Sequence, residues 1–402
     1  MGDGSVTCEK PCGRGFHREH GCYCIGVRIA QVAPRGEQPW SGVLTVIVHL
    51  AAALARRGHR VDVWQLHEWP PDAYADQHRL LQAAGVAQVP VRSSRRIGRS
   101  AATVAEERGV DVVHLHGAFN PSNTAIARAL RRPYVFSPHS GYDPVSLRRS
   151  RGRKAAYRIL FERGMLERAA SLVALTNAEL ADIREFGATR PCDVIPNGVE
   201  RPAEDLDAEA FRRALGLPHD ALLAVFVGRL DVHRKGLDVL VRGVSEAPGW
   251  HLALVGPRFR DVERLERMIA ALRLGDRVHL VGERHGRSLR ESVRAADLFV
   301  LMSRWEGLPM VLLEALALGR PAVVSGAVEG SVPVAGAGAG WMAEDADFGT
   351  VLREIARMGR DELAERGRAA LLLSHRYDWD SVAQSYEAVY ERAGESRPRV
   401  TP

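Results

Sequence analysis

Cysteine is nearly absent from the body of this chain. Four of the five, Cys8, Cys12, Cys22 and Cys24, stand before residue 25, and only Cys192 follows. A disulfide framework is thereby excluded for everything after the N-terminal segment. Long apolar runs are missing as well. The longest, Gly42 to Ala55, is broken by His49 and stopped by Arg56 and Arg57. A helical membrane span needs ~20 residues. Residues 1–26 hold no apolar core of a signal peptide, so the expected location is the cytoplasm. Net charge is small, with 55 Lys and Arg against 49 Asp and Glu, or +6.

That +6 is local. Arg148, Arg149, Arg151, Arg153, Lys154, Arg158, Arg163 and Arg168 are opposed between 148 and 168 only by Glu162 and Glu167. Any argument from basicity toward nucleic acid or membrane is an argument about this stretch. The N-terminal cysteines, with His17 and His20 between them, leave two readings: a zinc site, or a leader. The spacing matches no standard finger and the segment has no apolar residues for a core, which favours a disordered leader over 1–26.

The 402 residues suit two domains of about 200 each. At 46% hydrophobic and 26% charged residues, the balance is that of a soluble globular protein. From Val27 short apolar runs alternate with amphipathic stretches, a βα rhythm that implies parallel sheets covered by helices. The rhythm pauses at Pro196-Asn197-Gly198-Val199-Glu200-Arg201-Pro202, which reads as a linker, and then restarts. Two open α/β domains follow, with ligands expected at the carboxyl ends of the strands and in the cleft between the domains.

Three places there can carry chemistry. Gly228 through Gly236 follows the strand Leu222–Val227; its glycine lets backbone approach a ligand, and Arg229 and Lys235 suit a diphosphate leaving group. The competing reading is a solvated basic loop. Glu306-Gly307-Leu308-Pro309-Met310-Val311 opens a helix whose first N–H groups can hold phosphate, and Glu314 lies within the apolar run that follows. A ribose diol would suit that carboxylate; Arg320 is the competing partner. His114 and His116 share one face of a strand, with His116 nearer the cleft. The paired aspartates 205/207, 345/347 and 378/380 are read as helix caps, not metal ligands.

Together these residues resemble the retaining GT-B glycosyltransferases, in particular family 4 (glycosyltransferase group 1), from about Val27 to Tyr390. Ser41-Gly42 is similar to the family's glycine loop, and Asp111-Val112-Val113-His114-Leu115-His116-Gly117 to its "DVVHxHG" strand. Val194 to Val199 matches its domain linker, Gly228-Arg229-Leu230 with Lys235-Gly236 its diphosphate site, and Glu306 with Glu314 its E-x7-E motif. The resemblance implies a GT-B fold: two Rossmann-like parallel α/β domains facing a central cleft. Residues 27–197 would form the acceptor domain, 198–376 the nucleotide-sugar domain, and 377–402 a helix crossing back to the first.

It further implies a metal-independent transfer with retention, from a nucleotide-diphosphate sugar acting as co-substrate, with no cofactor. Arg229 and Lys235 would neutralise the diphosphate and Glu314 would hold the ribose. Glu306 would contact the transferred sugar and His116 would face the reacting centre. Ser41, Gly42, Gly228, Gly307 and Leu308 would complete the donor site. Where the family commonly carries Glu-Gly-Phe-Gly, this chain has Pro309, which removes one donor and leaves Met310 and Val311 to supply N–H groups.

His139, Ser140 and Tyr142, after the strand Pro133–Ser137, are expected to meet a glycan, lipid-linked or small-molecule acceptor. The basic stretch 148–168 leaves three readings: a solvated face, a peripheral contact with an anionic membrane, or an anionic soluble acceptor. Nucleic acid is not expected. Two rivals share the fold: a sugar-nucleotide epimerase and a non-catalytic sugar-nucleotide-binding homologue.

Overall fold

The computed structural model describes residues 26–91, 96–143, 147, 157, 161–202 and 205–395. The N-terminal cysteines, and most of the basic stretch from Arg148 to Leu160, lie outside the described residues.

Two parallel sheets organise the chain. The first holds β1 (Arg28–Ala33), β2 (Arg60–Gln65), β3 (Ala87–Pro90), β4 (Val112–His116), β5 (Tyr134–Ser137), β6 (Ser171–Ala174) and β7 (Cys192–Val194), in the order 3-2-1-4-5-6-7. The second holds β8 (Leu222–Val227), β9 (Trp250–Val255), β10 (Val278–Gly282), β11 (Leu298–Leu301), β12 (Ala322–Ser325) and β13 (Gly340–Ala343), in the order 10-9-8-11-12-13. Their central strands are buried along nearly their whole length, as a sheet covered on both faces requires. In each sheet the order reverses beside its first strand, between β1 and β4 and between β8 and β11. A crevice opens at such a switch point.

Each half has its own core. In the second, the residues of β8, β9 and β11 pack with the helix Leu237–Glu246 and with Phe348, Leu352 and Ile355. The first is divided by its sheet into two clusters. One of them takes in Trp379, Val382, Ala383, Tyr386, Val389, Tyr390 and Ala393 of the last helix, Trp379–Glu395. The chain therefore returns to the first domain after completing the second.

Ion pairs fix that return. Glu387 receives Arg57 Nε at 2.7 Å and Nη2 at 3.0 Å, and Asp193 takes both contacts from Arg392 at 2.7 Å. The linker and the return run side by side: Val199 N–H donates to Tyr377 O at 2.6 Å. Gly198 is obligatory there, because a Cβ would lie 2.4 Å from the Trp379 ring.

The paired aspartates divide. Asp378 accepts from the N–H groups of Asp380 and Ser381, and Asp207 from Ala210. Asp347 precedes a helix but makes no side-chain cap bond, and Asp345 pairs with Arg304 instead at 3.5 Å.

Candidate active site between the domains

A cavity of about 1470 Å³ lies between the two sheets, at the carboxyl ends of their strands. Of the residues expected to bind a donor, it is lined by Ser41, Gly42, Gly228, Arg229, Lys235, Glu306, Gly307, Leu308, Pro309, Met310, Val311 and Glu314. His139 and Ser140 line it too. His116 and Tyr142 do not.

The second domain's wall is built from charge and bare backbone. Gly228 sits at φ +150°, and the next loop presses against it so closely that a Cβ on Gly256 would lie 2.0 Å from Gly228 O. This packing holds Arg229 at the cleft, its guanidinium 4.7 Å above the Phe259 ring. Gly236, at φ +63°, begins the helix Leu237–Glu246 and has no room for a side chain against Met302 O. The tight turn from Asp231 to Gly236 brings Lys235 Nζ onto Glu306 Oε1. Both members of this pair are largely buried, with 14% and 12% of their side chains exposed, so an arriving anion finds a desolvated cation beside a carboxylate it must displace or share.

Pro309 caps the helix Met310–Ala317, and the Pro309 carbonyl is taken by Leu312 and Leu313. The N–H groups of Met310 and Val311 have no backbone partner among the described residues. Glu314, one turn on, faces the cleft with its acidity weakened by burial, an effect partly offset by His49 and Arg290. Arg320 does not pair with it; that guanidinium bonds Ala296 O at 2.9 Å instead. No hydrogen-bond donor meets the Glu314 carboxylate among the described residues.

On the first domain's side, the wall at the end of β4 is built from imidazoles. His114 and His116 end β4 fully buried, and a chain of hydrogen bonds runs through them. Gln31 Nε2 donates to Tyr390 Oη at 2.9 Å, which turns its carbonyl toward His116 Nε2 at 2.8 Å. His116 must then be protonated on Nε2, so its Nδ1 accepts from His139 Nε2 at 2.9 Å. His114 joins the same chain, through Tyr390 Oη at 2.8 Å and Ser137 Oγ at 2.8 Å. Burial holds all three imidazoles neutral, His139 down to about 4. His116 is thus placed behind the cleft wall, and His139 is the imidazole at the surface. A two-residue strand period cannot reveal that another loop covers the strand's end.

His139 and Ser140 both adopt positive φ, +53° and +57°. Such backbone costs a non-glycine residue on the order of 1 kcal/mol each and needs external support. Glu179 supplies it: one carboxylate oxygen accepts from Ser140 N–H, the other from Leu175 N–H at 2.7 Å. Burial pushes Glu179 up to about 7. Across the cleft, a Cβ on Gly307 would strike Ser140 Oγ at 2.2 Å, so the strained loop touches the second domain directly. Tyr142 turns inward, stacking on Phe186 and donating to Glu162 at 2.8 Å, and offers no aromatic face to a ligand.

Sequence reasoning missed Gln31, Glu179 and Trp40. Gln31 had a signal, being a lone polar residue in an otherwise apolar strand. Glu179 was hidden because Thr176 to Glu179 reads as an ordinary capping pattern. Trp40, 51% exposed, stacks on His285 of the second domain at 5.6 Å and bridges one rim of the cleft.

The Glycosyltransferase Family 4 model matches residues 40–201, and the Glycosyl transferases group 1 model matches 207–370. The chain belongs to the family 4, group 1 glycosyltransferases, and its two facing Rossmann-like domains are the GT-B fold. It is a glycosyltransferase.

Among curated relatives, the D-inositol 3-phosphate glycosyltransferase of Kineococcus radiotolerans is 27% identical, over 93% of this chain and 95% of the relative. That of Actinosynnema mirum is 29% identical over 77% and 81%. Among solved structures, Anabaena HepE in complex with UDP and glucose shares 19% identity, with a TM-score of 0.74 over 91% of this chain and 99% of the other. Sucrose-phosphate synthase from Thermosynechococcus elongatus shares 20%, with a TM-score of 0.73 over 91% and 98%. No helix among the described residues is long and apolar enough to cross a membrane.

Proposed function

We propose that this enzyme transfers a sugar from a uridine-diphosphate sugar to a hydroxyl of a polar acceptor, with retention of configuration and without a metal. The observation that carries the proposal is the division of the cleft. Fixed cations and free N–H groups line one wall, and a neutral imidazole stands on the other. Arg229 and Lys235 take the diphosphate, and the N–H groups of Met310 and Val311 take its remaining oxygens. Charge that develops on the leaving phosphate meets donors already in place. Glu314 accepts from the ribose hydroxyls, and Glu306, released from Lys235 as the diphosphate enters, accepts from the transferred sugar. His139 Nε2 is committed to His116, so its Nδ1 is the atom left to accept from a sugar hydroxyl. The acceptor enters beside His139 and Ser140, and the leaving phosphate takes its proton.

The relatives' printed names suggest a phosphorylated polyol as acceptor. The basic stretch 148–168, just past the His139 loop in sequence, fits an anionic acceptor. The test is product analysis with UDP-glucose and related donors, D-inositol 3-phosphate and unphosphorylated inositol as acceptors, with and without a chelator. The expected product keeps the donor's anomeric configuration, forms in chelator, and forms faster on the phosphorylated acceptor. An inverted product or loss of activity in chelator would refute the corresponding part of the mechanism. Release of a free epimer without acceptor would restore the epimerase reading.

A further inference from the structure

The second domain has another hollow, of about 360 Å³, at the end of its sheet opposite the cleft. Asp297 and Pro321, which line it, stand just before β11 and β12. One stripe of the helix Arg360–Ser374 forms a wall, with Arg360, Leu363, Ala364, Gly367, Arg368 and Leu371 at helical spacing. Gly319 and Gly367 form the floor and allow close approach there: a Cβ on Gly367 would lie 2.6 Å from Gly319 O.

The charges in this hollow do not balance. Arg294, Arg320, Arg360 and Arg368 line it against Asp297 alone. Asp297 is already engaged, receiving Arg360 at 2.8 Å, Arg212 at 3.3 Å and the N–H of Leu223 at 2.8 Å. No carboxylate among the described residues forms an ion pair with Arg294, Arg320 or Arg368. Arg294 is fixed by Leu318 O at 3.1 Å, and Arg320 by Ala296 O at 2.9 Å. Those bonds hold the guanidiniums in place and leave most of each five-donor fork unused. Arg320 is pushed down to about 10, first by burial and then by Arg294 beside it. An anion between the two would relieve that repulsion.

We infer that this hollow is a second binding site, separate from the donor cleft, for a phosphate monoester. Guanidinium forks match phosphate oxygens in geometry. A monoester carries about −1.5 to −2 at neutral pH, against −1 for a carboxylate. Leu371 and Leu372, 39% and 68% exposed beside it, leave two sources for that chemistry, a soluble phosphate or a lipid headgroup.

The test is calorimetric titration of the full chain carrying Arg229→Ala and Lys235→Ala, which removes the two cations assigned to the donor's diphosphate. Inorganic phosphate, glycerol 3-phosphate and acetate are titrated at constant ionic strength. One equivalent of each phosphate is expected to bind, and acetate is expected not to. Adding Arg294→Ser or Arg368→Ser is expected to weaken phosphate binding by about tenfold or more. Both side chains are exposed, and melting temperatures without phosphate verify that these variants fold. Co-sedimentation with phosphatidic-acid vesicles, lost in the same variants, would assign a lipid headgroup; binding in solution alone would assign a soluble monoester. No binding in either arm, or binding unchanged by Arg294→Ser and Arg368→Ser, overturns the site.

Discussion

The two walls of the cleft come from similar sheets with the same reversal of strand order, yet they work by different means. The second domain presents cations, free N–H groups and one unmatched carboxylate. The first presents a histidine whose protonation is set by a buried relay through His116, Gln31 and Tyr390. A charged wall grips a ligand whose charge is known in advance. A neutral imidazole orients groups that must not be gripped too tightly, since an imidazolium facing a cation-bound diphosphate would pull the sugar out of place. On the proposed function, donor affinity and transfer geometry are separable in this molecule.

The strongest way to break the comparison is to discharge the charged wall. Arg229→Ala with Lys235→Ala is expected to lower kcat/KM by about 10²- to 10³-fold, and initial rates against donor concentration measure it. On the neutral wall, His139→Ala is expected to lower kcat by about tenfold or more with little change in donor affinity; the same rates separate the two parameters. Tyr390→Phe keeps the ring and removes the hydroxyl shared by Gln31 and His114. It is expected to lower kcat several-fold and to cost about 1 kcal/mol of stability, checked by denaturant unfolding.

pH sharpens the contrast. An imidazole titrates near 6.5 when unfolded, so the stability these three histidines lend is present above about pH 6.5. It is lost as pH falls through the folded values, about 4 for His139. Glu179 and Glu329, the latter a second-domain carboxylate that accepts from Thr176 Oγ1 of the first, are both pushed up to about 7 by burial and by neighbouring carboxylates and act in the opposite sense. Their contribution is present below about pH 4.5 and is lost as pH rises through 7. Unfolding curves from pH 4 to 8 should therefore flatten on the acid side in His139→Gln and on the neutral side in Glu329→Gln. The smallest effect belongs to the rim: Trp40→Ala is expected to raise the donor KM about two- to fivefold at unchanged kcat.

Much of this was legible in the sequence, and the exceptions have physical reasons. The charged wall was readable because its residues follow one another in short loops after strands, as Gly228-Arg229 and Glu306-Gly307 do. The neutral wall was half readable. His116 was correctly placed at the end of a strand, but its cover by His139 depends on a loop 23 residues on, held in left-handed backbone by Glu179 from a third segment. The hydroxyl that orients Gln31 lies 359 residues away, and local pattern carries no trace of such pairs. The strands Ala87–Pro90 and Gly340–Ala343 are the least legible in sequence, and both are edge strands. They are four residues long, one ends in proline and the other begins with glycine, so neither shows the apolar run that marks a central strand.

The central claim is that one wall binds the donor and the other directs transfer. It is tested most directly by titrating UDP into the wild type, Arg229→Ala and His139→Ala. Affinity is expected to fall about tenfold or more in Arg229→Ala and to stay within about twofold of wild type in His139→Ala. Equal losses in both variants, or no loss in Arg229→Ala, would contradict it.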